Sequence, residues 1–213
     1  MKLPRIPVSS LALGLLPALS LLSGCFSGLN SKALPEQRYL LRSEIAKPAV
    51  SVQPAGTVQV LRPSASPGLA GSRIAVLRSG ARLDYYANAR WVEEAPPLLQ
   101  SQIIDALRMG GRFATVESDT EPFAAQYLLS VHIAKFQAEY TDAGGPTIFV
   151  TIDCTLGRRT DRTVIVSFAA QGTAHATADH LEAVVAAFGA ATSQAMQQIA
   201  ENIAPPAADQ RPK

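Results

Sequence analysis

"PTIFVTIDCTLGR", residues 146–158, decides the fold. Ile148, Val150, Ile152, Cys154 and Leu156 alternate with Thr147, Thr151, Asp153 and Thr155, and only Phe149 breaks the polar row. Side chains along a strand point to opposite faces in turn, so a period of two predicts a strand with one covered face. The flanking segments repeat the pattern. "QYLLSVHIAKFQAEYT" (126–141) precedes it across the turn "DAGG", and "DRTVIVSFAAQGTA" (161–174) follows a turn around Arg159 and Thr160. Three alternating runs joined by short turns predict an antiparallel meander.

A helix over 179–203 is the natural cover for that meander. Leu181, Val184, Val185, Phe188, Ala195, Ile199 and Ile203 form an apolar stripe at helical spacing. Asp179 and Glu182 have the spacing of a capping box, and Pro205-Pro206 stop the helix. Upstream, "RYLLRS" (38–43), "TVQVLRP" (57–63), "SRIAVLRS" (72–79), "RLDYYA" (82–87) and "RFATVES" (112–118) read as strands. Gly80 suggests a hairpin-like link between two of them. "APPLLQSQIIDALRMGG" (95–111) reads as a helix, opened by Pro96-Pro97 and ended by Gly110-Gly111. The expected fold is α+β: one domain with a mixed, largely antiparallel sheet packed by two main helices.

The start of the chain sets its organisation. Lys2 and Arg5 precede a mostly apolar run of about 15 residues, Val8 to Leu22. A spanning helix needs about 20 residues, and Gly14 and Pro17 weaken this one, so the run reads as a secretory leader. It ends in Leu22-Ser23-Gly24-Cys25, which resembles the bacterial lipobox. Residues 1–24 are then a lipoprotein signal peptide, with Cys25 the lipidated residue. Residues 25–37 form a tether, 38–203 the domain and 204–213 a tail. A tether of roughly 13 residues reaches at most about 45 Å. Phe26, in place of aspartate, favours the outer membrane, with the domain facing the periplasm.

The chain has 213 residues, with 19 Lys plus Arg against 17 Asp plus Glu. Losing Lys2 and Arg5 leaves a neutral body, which argues against a nucleic-acid footprint. Cys154 is the one cysteine left after Cys25, so an apolar core rather than a disulfide must hold the fold.

Chemistry-bearing motifs are sparse. No G-x-S-x-G elbow, H-E-x-x-H pair or Walker loop is present. His175, His180 and Asp179 cluster before the last helix, but their spacing matches no metal-ligand pattern. His132 and Cys154 sit within strands and read as packing residues. No catalytic residue, cofactor or metal is therefore assigned. "LDYYANARWVEEAPPLL" (83–99) gathers Tyr85, Tyr86, Arg90 and Trp91, the residue types that anchor interfaces. The alternative is that the aromatics fill the core near a strand end.

These residues carry a resemblance. "RYLLR" (38–42), Gly68-Leu69, Arg73-Ile74, Tyr85-Tyr86, Ala89 to Trp91 and Pro96-Pro97, behind the lipobox, make the chain similar to the ABC-type transport auxiliary lipoproteins, the PqiC-like family. The resemblance covers residues 38 to 203. It implies an accessory component, not an enzyme, that works with an MCE-domain protein and an ABC transporter permease and ATPase. Such systems move phospholipids or other hydrophobic molecules across the cell envelope. The bilayer is a further partner through acylated Cys25, and self-association of the chain stays open. The alternative is a structural lipoprotein of another envelope-assembly or secretion machine.

Overall fold

A computed structural model of the chain describes residues 35–46, 53–78, 82–140 and 145–206. Cys25, the leader, Gly80 and the turn at 141–144 lie outside the described residues, as does most of the tether. In chain order the elements are β1 (Gln37–Tyr39), β2 (Thr57–Val60), β3 (Ser64–Ala65), β4 (Arg73–Arg78), β5 (Arg82–Trp91), α1 (Ala95–Gly110), β6 (Thr115–Ser118), β7 (Tyr127–Glu139), β8 (Thr147–Arg158), β9 (Val164–His175) and α2 (Leu181–Asn202).

The predicted meander is present: β8 pairs antiparallel with both β7 and β9. Ile148, Val150, Ile152, Cys154 and Leu156 are all buried, while the intervening residues are half-buried or exposed. Phe149, the exception to the polar row, lies half-buried on the outer face with the Lys135 ammonium 5.4 Å from its ring centre.

The remaining strands are arranged around β7 in a way that periodicity does not reveal. One edge of β7 carries β8. The other edge is served in turn by β2, β3 and β4, all parallel to it, at Tyr127–Leu129, His132–Ile133 and Gln137–Glu139. β2 then carries β6, and β4 carries β5, which carries β1. The sheet is mixed, and its long pairings are antiparallel, as expected. With the two helices it forms a single α+β domain.

Both helices cover the same apolar face. α1 opens on Pro96-Pro97 and closes at Gly111, whose φ of 63° is the left-handed conformation that glycine takes without strain. α2 lies across β8 and β9. Its closest approach is at Gly172 on β9, where an added Cβ would stand 1.8 Å from the Ala191 carbonyl oxygen. The core centres on Trp91, Phe136 and Phe188, whose ring centres are 5.1 to 5.5 Å apart.

Two local expectations are corrected. The capping box assigned to Asp179 and Glu182 is not formed. His180 is the N-cap and its Nδ1 accepts from the Ala183 amide at 3.3 Å, because Asp179 is already taken by Tyr140, which donates to it at 2.6 Å. The strand expected to end at Ala87 runs on to Trp91. Between Tyr85 and Arg90 the pairing with β4 shifts register, and Asn88 takes a φ of 52°. Such a bulge re-aims the side chains that follow it.

Candidate docking surface

That bulge decides the fate of the four residues singled out at 85–91. Beyond it, Ala89 and Trp91 turn inward, and Trp91 is only 1% exposed. The expectation that Trp91 contributes a surface anchor is therefore corrected. Its ring is held by Phe136 and Phe188, and its backbone N–H donates to the Ser72 carbonyl at 2.7 Å.

Tyr85, Tyr86 and Arg90 remain partly accessible. Tyr85 donates to the Gly68 carbonyl at 3.0 Å and lies beneath the Arg73 guanidinium, 3.6 Å from its ring centre. Tyr86 donates to the Tyr140 hydroxyl at 3.2 Å, which continues the chain to Asp179. Burial, then the Tyr140 hydrogen bond, pushes the Tyr86 hydroxyl well above the usual phenol range. Arg90 pairs with Glu36, and its guanidinium reaches the Ser72 hydroxyl at 3.4 Å. The two tyrosines and the arginine are thus tied to neighbouring loops. They form a braced rim rather than a mobile patch.

Sequence reasoning missed a second feature beside this rim. β1 is shorter than the predicted 38–43 strand, because the chain leaves the sheet after Tyr39 and crosses α2. The Glu44 amide donates to the Ser193 hydroxyl at 2.8 Å. Gly189 makes the crossing feasible, since a Cβ there would lie 2.5 Å from the Arg42 carbonyl oxygen. A groove of about 850 Å³ results, lined by Tyr39, Leu40, Arg42, Val185 and Ala186 among others. Leu40 is 58% exposed. Burial and the Glu182 carboxylate raise the Tyr39 hydroxyl above its usual range. Gly189 within a helical stripe was the signal that could have exposed the crossing.

The histidines take structural places. His132 on β7 contacts the Ser64 and Ser66 hydroxyls at 2.9 and 3.3 Å, and His175 contacts the Thr147 hydroxyl at 3.3 Å. Cys154 is buried as a free thiol, and burial, with the Asp153 charge, pushes it up to about 12. Among the described residues no three His, Cys, Asp or Glu side chains gather as a metal cluster, and no helix is long and apolar enough to cross a membrane.

Fold and surface together define a single α+β domain that leaves Tyr85, Tyr86 and Arg90 partly accessible on β5, beside β1. The chain belongs to the ABC-type transport auxiliary lipoprotein component family, which matches residues 39–204. Among solved structures it is similar to protein XCC0632 from Xanthomonas campestris, with 21% identity and a TM-score of 0.71 over 77% of this chain and 92% of that one. A second, uncharacterized protein gives 13% identity and a TM-score of 0.62 over 79% of this chain and 98% of that one. A looser likeness, with a TM-score of 0.42 and 16% identity, runs to the PelC dodecamer from Paraburkholderia phytofirmans over 72% of this chain and 93% of that one. At these identities the first two likenesses are of fold alone. No curated protein matches the chain.

Proposed function

We propose that the protein is a non-enzymatic accessory lipoprotein of an ABC transport system that moves phospholipids or other hydrophobic molecules across the cell envelope. Acyl chains on Cys25 hold it at the outer membrane, facing the periplasm, and the tether lets the domain reach a membrane-anchored MCE-domain partner. Confinement at the membrane raises the effective concentration of the docking surface, as covalent linkage does. Tyr85, Tyr86 and Arg90 form part of that surface. Self-association of the domain is part of this reading. The energy for transport comes from the partner ATPase.

The observation that carries this reading is the family match over 39–204, which spans the described domain and begins just behind the tether that follows Leu22-Ser23-Gly24-Cys25. The experiment is a pull-down of the acylated protein from membranes in mild detergent, with mass spectrometry of proteins and lipids. Recovery of an MCE-domain protein with a permease and an ATPase is expected. Recovery of envelope-assembly or secretion proteins in their place would overturn the transport role.

A further inference from the structure

Arg38 on β1, Arg90 on β5 and Arg73 on β4 stand abreast on three neighbouring strands. Their chain neighbours Tyr39, Trp91 and Ile74 turn to the core, so by alternation the three guanidinium groups share the opposite face. Like charges directly opposite each other destabilise a sheet, so packing does not account for this row. The carboxylates beside it are Glu36 and Glu93. Glu36 pairs with Arg90 and lies 3.9 Å from Arg38. Glu93 lines a groove of about 410 Å³ together with Arg38 and Arg90, and the adjacent Glu94 is taken by Arg62 at 3.1 Å. Arg73 makes no ion pair among the described residues. Its guanidinium is set on the Tyr85 ring, whose hydroxyl is fixed by the Gly68 carbonyl. The row therefore keeps an excess of positive charge on braced side chains.

The groove of about 850 Å³ along α2 begins at the same Arg38. Side chains from Arg38 to Arg42 alternate, with Tyr39 and Leu41 turned in and Arg38, Leu40 and Arg42 turned out. The α2 wall of the groove is Val185, Ala186, Gly189 and Ala190, so an apolar slot opens beside the arginine row. Ligand pockets commonly measure about 300–1,000 Å³, and this slot falls in that range. Of its carboxylates, Glu182 is engaged by His180 at 3.2 Å. Glu44 stands at the other end, where its amide donates to the Ser193 hydroxyl, and its charge repels an anion from that end.

Row and slot together select the occupant. A free phosphate would use the arginines and leave the slot empty, and a neutral acyl compound would use the slot and leave the arginines unanswered. A molecule with an anionic phosphate head and an acyl tail answers both. Guanidinium groups suit the head, because their planar fork matches phosphate oxygens.

Deepening the transport reading above, on which it rests, we propose that this domain itself holds a phospholipid. The phosphate lies on Arg38 and Arg90, backed by Arg73, and one acyl chain runs along the slot against α2. The test titrates the full acylated chain, in a neutral detergent, with phosphatidylglycerol, and native mass spectrometry counts the lipid retained. Diacylglycerol, which lacks the phosphate, and inorganic phosphate, which lacks the tail, are titrated in parallel. One phosphatidylglycerol per chain is expected, with neither control retained. Arg38→Gln with Arg73→Gln should weaken retention by about tenfold or more, since each removes a charge-assisted contact, while circular dichroism stays unchanged. Ala186→Trp, at an exposed position of α2, should block the slot and abolish retention with the arginines intact. Diacylglycerol retained equally well would overturn the role of the row, and inorganic phosphate retained equally well would overturn that of the slot. Phosphatidylglycerol retained by both variants, or not retained by the wild type, would overturn the site. A wild type that retains the lipid but captures no transporter components in the pull-down would overturn the transport role and leave this site standing.

Discussion

Gly172 on β9 lies directly beneath the carbonyl oxygen of Ala191 on α2, so close that a Cβ would stand 1.8 Å from it. The helix can rest on the sheet here only because that Cβ is missing. Gly172→Ala must therefore lift α2 or bend β9. Overpacking of this kind costs about 1–3 kcal/mol, and a backbone obstacle places it at the upper end. Ala191→Gly should not rescue it, since the obstructing atom is the carbonyl and not the methyl. Urea denaturation of the single and double variants checks both statements.

Trp91→Ala should destabilise the domain by about 3–5 kcal/mol, the range for emptying a large aromatic site, because the ring is packed between Phe136 and Phe188. Tyr85→Ala and Arg90→Ala should leave the melting temperature much closer to wild type. If Trp91→Ala weakened partner capture with stability unchanged, the ring would have to be available at the surface after all.

Gln198→Leu removes both contacts with the Gln171 backbone. A net hydrogen bond contributes about 0.5–1.5 kcal/mol, and the exposure of these two puts the loss near 1 kcal/mol in all. The sharper readout is amide hydrogen exchange. The Gln171 amide should exchange faster in the variant, and the Thr173 amide, held by Gln194, should not.

Cys154 links stability to alkaline pH. Its thiol is pushed up to about 12 from an ordinary 9.0, so the unfolded chain gives up the proton first. This contribution is fully present below about pH 9. It falls by about 1.4 kcal/mol per pH unit as the pH rises toward the folded value. The stability difference between wild type and Cys154→Ala should be flat at neutral pH and shrink above about pH 9. In the native state the thiol should resist alkylation at neutral pH.

Cys25→Ser should yield a folded protein that no longer fractionates with membranes, because two or three acyl chains are what hold a lipoprotein to a bilayer. Circular dichroism of the soluble fraction would verify the fold. Retention of the variant in the outer-membrane fraction would sink the lipid-anchor account.

The meander and both helices were legible in the chain for a local reason. Alternation at 147–156 and the stripe from Leu181 to Ile203 each report one element's own buried face, and Pro96-Pro97 and Gly111 mark ends by backbone preference alone. β2 and β4 were legible as strands, but β3, just past Pro63, was not, and neither was the sharing of one edge of β7 by all three. Parallel pairings between distant segments leave no local period.

The candidate surface was less legible still. Tyr85, Tyr86, Arg90 and Trp91 have the same residue types whether they line a core or an interface. The bulge at Asn88, which turns Trp91 inward and leaves Arg90 outside, follows from pairing with β4 and not from local sequence. By itself the sequence determined the meander, both helices and which face of each would be buried, because those depend on neighbours a few residues apart. Only the tertiary structure decided which strands share β7, where Trp91 points and how far α2 closes the edge of β9. Those depend on contacts between segments far apart in the chain, and on glycines that let backbones meet.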